Sequence, residues 1–222
     1  TMVKRLRKAG AIVLGMSSMT EFGMTPSGAN PFRVMPRNAH NPNCLPGGSS
    51  TGSGVAVALG VVPFATAADG GGSIRIPAAM NGVFGIKPTW GRISREGDAA
   101  TGSVSHVGPI ASSTKDLAYF LEATCGEDLL DGETSHAPSF EPGEWVHALE
   151  RGVKGLKVAV DEHEWGDASS EVAKAGEEML RTLEKEGATL VPATLKLARH
   201  ASAIGCVVIS AEARAILGSY YR

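Results

Sequence analysis

Two serines set among glycines carry the chemistry in this sequence. The first lies in Gly47-Gly48-Ser49-Ser50-Thr51-Gly52-Ser53-Gly54, the second in Asp69-Gly70-Gly71-Gly72-Ser73-Ile74-Arg75-Ile76-Pro77. Glycine lets the backbone reach positive φ and approach a ligand closely, so a serine flanked by glycines presents a bare hydroxyl beside free N–H groups. That combination suits acyl transfer. A serine hydroxyl is a poor nucleophile until a base takes its proton, so Ser73 needs a base and an oxyanion hole. The successive amides of Gly70, Gly71, Gly72 and Ser73 can form the hole, each donor lowering the barrier by roughly 2.7–4 kcal/mol. A glycine loop ahead of a helix also suits a phosphate cradle or a plain tight turn. The existence of two such loops, separated by a helix and a strand that can fold them to one end of a sheet, favours acyl transfer.

Other arrangements compete and fit less well. Gly48-Ser49-Ser50-Thr51-Gly52 matches G-x-S-x-G, with Ser50 as nucleophile, but that motif needs a strand directly before it. The turn-rich Asn41-Pro42-Asn43-Cys44-Leu45-Pro46 stands there instead. Ser112-Ser113-Thr114-Lys115 matches S-x-x-K without a following Ser-Asp-Asn or Lys-Thr-Gly, so it reads as a helix cap. His106 is an alternative base for Ser73, set against a hydrogen-bonded loop histidine or a substrate contact. His40, His136, His147, His163 and His200 lack the spacing of metal ligands, and Trp90, Trp145 and Trp165 read as packing residues.

The elements that must position the loops follow from pattern. Val3 to Lys8 reads as the end of an amphipathic helix and Ala11 to Gly15 as a buried strand. A loop rich in Pro, Asn and Gly runs from about Gly23 to Gly48 into a small-residue helix, Gly54 to Leu59, and Phe64 to Ala68 reads as an interior strand. Ser113 caps a helix over Lys115 to Thr124, with Asp116 in the acidic position. Leu156 to Val160 is a strand, Val172 to Leu183 has helical spacing, and Gly187 stops that helix before a strand at Thr189 to Val191. This alternation predicts an α/β fold with a mixed, largely parallel sheet flanked by helices on both faces. His136 to Glu144 reads as a linker or surface excursion.

Composition narrows the function classes. A hydrophobic fraction of 43% over 222 residues supports one packed domain. A net charge of −2 with scattered basic residues gives no footprint for nucleic acid. Three cysteines without C-x-x-C spacing argue against a disulfide framework or a structural zinc, and a reducing, cytoplasmic setting is expected. No segment reads as a signal peptide or membrane span, the apolar Val55 to Ala68 being broken by Gly60 and Pro63.

The combined pattern resembles the amidase signature family. The matching residues are Ala9 to Gly15, Pro46 to Ser50, Asp69 to Ala78, Gly85-Ile86-Lys87-Pro88-Thr89-Trp90-Gly91-Arg92, Gly108-Pro109-Ile110 and Asp116-Leu117. The resemblance implies an amidase signature fold, incomplete at both ends: residues 1–222 as one truncated domain, 1–126 as its core with both serine loops, 136–150 as an excursion and 151–222 as further α/β units. It makes Ser73 the acyl-accepting nucleophile and Ser49, on a cis peptide bond, the proton relay to a neutral buried lysine. Gly70 to Ser73 form the oxyanion hole, while Asp69, Ser50 and Arg75 support the loops.

That lysine belongs upstream of Val3 in the family and is not among these residues; Lys4 and Lys8 read as solvent-facing. Thr51 stands where many members have glycine. The expectation is a central fragment, weak or inactive alone, of an amidase that releases ammonia or an amine from a carboxamide. The amidase component of a glutamine-dependent tRNA amidotransferase is the second reading, and a scaffold lacking the lysine is the third. No cofactor or metal is implied. The expected partners are a small-molecule amide and either a second copy or amidotransferase subunits, with no direct nucleic acid and no membrane.

Overall fold

A computed structural model describes residues 1–98, 102–161 and 167–221, so His163 and Trp165 lie outside the described residues. The chain forms two compact units, one from Thr1–Val146 with Gly205–Arg222 and one from His147–Ile204. In chain order the elements are α1 (Met2–Lys8), α2 (Thr51–Ala58), β1 (Phe64–Asp69), α3 (Arg75–Met80), β2 (Phe84–Gly85), β3 (His106–Ala111), α4 (Thr114–Thr124) and α5 (Glu144–Ala148). Then follow β4 (Lys157–Val160), α6 (Ser170–Lys185), β5 (Thr189–Pro192) and α7 (Ala198–Leu217).

The larger unit holds a sheet of order β1-β3-β2, antiparallel throughout, with Asp69 opposite His106 and Phe84 opposite Ala111. One core cluster joins Leu6 of α1 and Val107 of β3 to Phe120, Leu121 and Cys125 at the end of α4. A second joins Val57 of α2, Ile74, Ala78 of α3 and Ile110 of β3. Helix α4 forms because Leu117, Phe120, Leu121 and Thr124 recur on one face, and all are buried. Burying each large apolar side chain stabilises the fold by about 1.5–3 kcal/mol. The Ser113 Oγ accepts the Asp116 N–H at 3.1 Å, which is the cap expected there. In the smaller unit β4 and β5 pair in parallel, from Lys157 with Thr189 to Val160 with Pro192, and α6 connects them. The fold is thus α/β with strands paired both ways.

Two expectations are corrected. Ala11 to Gly15 forms no strand, and Ile12 and Leu14 are exposed. Among the described residues no strand pairs with it, and of its apolar run Ala11 alone packs against the first core cluster. The expectation that no segment reaches the length of a membrane span fails at α7, 20 residues long, in which an 18-residue window has a mean hydropathy of 1.3. Length and composition are its only claim to that role, since Glu212 hydrogen-bonds Ser103 and Ala213 is buried.

Candidate active site

The strand β1 ends at Asp69, and the chain then turns through three glycines before α3 begins at Arg75. Asp69 shapes that turn. Its fully buried carboxylate accepts the N–H of Gly72 at 2.7 Å, of Ile74 at 3.1 Å and of Arg75 at 3.4 Å. It also accepts both arms of the Arg75 guanidinium, Nε and Nη2, at 3.0 Å each. Burial pushes the carboxyl pKa up, but the Arg75 hydrogen bond and the Ile74 and Gly72 amides outweigh it and hold the group below the usual carboxylate range. Gly72 takes φ of 129°, which favours glycine.

The first loop reaches the second through the main chain. The Ser50 N–H donates to the Ser73 carbonyl at 3.3 Å. Ser50 Oγ donates to the Ala68 carbonyl and accepts the Ala68 N–H, both at 3.3 Å, so this hydroxyl is bound to β1 and does not face the neighbouring turn as a nucleophile. Ser53, one helical turn on, donates to the Thr66 carbonyl at 2.8 Å and meets Ser17 Oγ at 2.8 Å. Ser17, Ser50, Ser53 and Thr66 also line a cavity of about 380 Å³. Sequence reasoning singles out neither Ser17, Ser53 nor Thr66, although the three-residue spacing of Ser50 and Ser53 marks one helix face.

Ser49 is buried, and its peptide bond to Gly48 is cis. Its carbonyl accepts the Thr20 N–H at 3.1 Å. Gly48 is required, because a Cβ there would lie 2.8 Å from the Thr25 carbonyl oxygen. Ser73 is half-buried. The glycine pattern predicts four amides for the oxyanion, but the Gly72 N–H is directed at Asp69. The amides of Gly70, Gly71 and Ser73 donate to no other group among the described residues.

His106 pairs with Asp69 across the sheet, its Nδ1 donates to the Val104 carbonyl at 2.8 Å, and its ring stands edge-on to Trp90. Burial, together with the nearby Lys87 charge, pushes its pKa below the ordinary histidine value despite the hydrogen bonds it donates to the backbone. Lys87 is likewise held below the usual lysine range by burial, and its Nζ donates to the Pro88 carbonyl at 2.9 Å. Trp90 and Trp145 pack as expected: Trp90 Nε1 donates to Glu133 at 2.8 Å and Trp145 lies against Phe140. Among the described residues no three His, Cys, Asp or Glu side chains gather as metal ligands would.

An α/β scaffold that sets two glycine-flanked serines on facing loops defines a class. The chain belongs to the amidase family, whose model, described as Amidase, matches residues 1–221. It is similar to a glutamyl-tRNA(Gln) amidotransferase subunit of Geobacillus sp. (strain WCH70), with 41% identity over 222 residues that cover 99% of this chain and 45% of that protein. The crystal structure of the corresponding glutamyl-tRNA(Gln) amidotransferase subunit from Thermotoga maritima superposes with a TM-score of 0.87 at 35% identity, covering 96% of this chain and 47% of that one. Native peptide amidase from Stenotrophomonas maltophilia gives 0.86 at 31% identity, covering 99% and 46%. The chain therefore spans less than half the length of these relatives.

Proposed function

We propose that the whole protein hydrolyses a carboxamide through an acyl-serine intermediate on Ser73. The carrying observation is the union of the two loops: the Ser50 N–H holds the Ser73 carbonyl, with buried Ser49 beside it. Ser73 Oγ attacks the carbonyl carbon while its proton passes through Ser49 to a lysine base that lies outside these 222 residues. The amides of Gly70, Gly71 and Ser73 stabilise the oxyanion. The C–N bond breaks, the leaving nitrogen takes the proton, and water then attacks acyl-Ser73 to release a carboxylate and restore the hydroxyl. A fluorophosphonate applied to the whole protein should label Ser73, and Ser73→Ala should lose both label and amide hydrolysis. Label on Ser49 or Ser50 overturns the assignment.

The names of the relatives favour a second reading. At 41% identity to an amidotransferase component, the whole protein would use the same serines to release ammonia from glutamine, with partner subunits. Glutamine hydrolysis that appears only when partner subunits are added supports this reading, and amide hydrolysis by the protein alone opposes it.

A further inference from the structure

Two apolar side chains stand directly on the glycine loop. A Cβ placed on Gly71 would lie 3.4 Å from Ile209 Cδ1; one on Gly70 would lie 3.4 Å from Val104 Cγ2 and 3.8 Å from Ile209 Cδ1. These are van der Waals distances, so Val104 and Ile209 cover the surface the missing side chains leave bare. They come from separate elements, the 3₁₀ turn Gly102–Val104 and helix α7.

Both are held in place. Glu212, three residues beyond Ile209 on the same face of α7, accepts the Ser103 N–H at 2.9 Å and the Ser103 Oγ–H at 2.5 Å. His106 Nδ1 fixes the Val104 carbonyl at 2.8 Å. Val104 and Ile209 are half-buried while Gly71 is exposed, so the loop meets solvent across a border of hydrocarbon. The charges closest to it are engaged: Asp69 with Arg75, Glu212 with Ser103, and Lys87 with the Pro88 carbonyl.

We propose that Val104 and Ile209 form the wall that selects the acyl group, and that the group selected is hydrocarbon. This rests on Ser73 as the acyl-accepting serine. A wall that touches the oxyanion loop remains beside the acyl group through both half-reactions, whereas the amine departs after the first. An aliphatic chain loses water against these side chains, while the α-ammonium and α-carboxylate of glutamine would be desolvated there without a partner.

The test measures kcat/KM of the whole protein for straight-chain primary amides from acetamide to octanamide, with glutamine as the polar comparator. Wild type should favour a hydrocarbon acyl group over glutamine by about tenfold or more. Ile209→Ala should move the preferred chain length upward and change the ratio of long to short amides by about tenfold, with Ile209→Leu returning it towards wild type. Val104→Ala supplies an independent variant, and Tm reports the fold of each. An unchanged acyl preference in both alanine variants, preference for glutamine, or a change that follows the leaving amine overturns the proposal. Absence of fluorophosphonate label on wild-type Ser73 overturns the catalytic reading instead, and the wall with it.

Discussion

Asp69 is the residue on which the second serine loop turns. Its two carboxylate oxygens collect the Gly72, Ile74 and Arg75 amides and the Arg75 guanidinium, so a stretch with three successive glycines takes one shape. Asp69→Ala leaves the buried Gly72 and Ile74 donors without an acceptor, at a cost of about 1–3 kcal/mol each. Urea unfolding at neutral pH should register that loss. A depressed carboxylate stabilises the native state above its unfolded pKa of about 3.9, and this contribution fades as pH falls through the lowered native value. Asp69→Asn should therefore flatten the acid limb of a Tm-versus-pH profile below about pH 4. An unaltered acid limb would place the acid sensitivity elsewhere. The identity of the two serines is plain in the sequence from their glycine neighbours. The engagement of the Gly72 amide is not, because which N–H faces a ligand depends on where the Asp69 side chain turns.

At the scale of elements, capping and face periodicity make α4 legible in advance. Ser113→Ala should cost about 1 kcal/mol, read as a lowered Tm, by removing the acceptor for the Asp116 N–H. Strand β3 is opaque for an equally physical reason. His106-Val107-Gly108-Pro109-Ile110-Ala111 carries a glycine and a proline, which count against a central strand. Pro109 is accommodated because its carbonyl still accepts the Ile86 N–H at 3.2 Å. Helix α7 carries Gly205 in its middle, although a mid-helix glycine lowers the local preference. The apolar run from Ala11 fails in the opposite direction: periodicity reports what a segment can bury, and the neighbour that would cover it must be found elsewhere.

On the scale of the whole molecule, the two units differ in what holds them. The larger contains both apolar clusters, including fully buried Ile74 and Ile110. Within the smaller, Ala188 is the one buried residue among those described, and the parallel pair β4 and β5 is flanked by exposed Leu156 and Val172. Local opening follows the amount of apolar surface that must be exposed. Backbone amides of β4 and β5 should accordingly exchange with deuterium faster than those of β1 and β3, as followed by mass spectrometry. Equal protection in the two sheets would show that their stabilities are coupled. Alternation of strand and helix in the sequence conveys the α/β class but not this difference, since pattern records periodicity and not the depth of burial.

The bond from the Ser50 amide to the Ser73 carbonyl is made entirely by main chain. Its register is therefore blind to side-chain identity, and replacing the hydroxyls of Ser49 and Ser73 leaves the tie uncut. If Ser73 is the acyl-accepting serine proposed above, the doubly substituted whole protein keeps a receptor for the acyl compound and loses the means to consume it, so that two hydroxyl groups separate recognition from turnover.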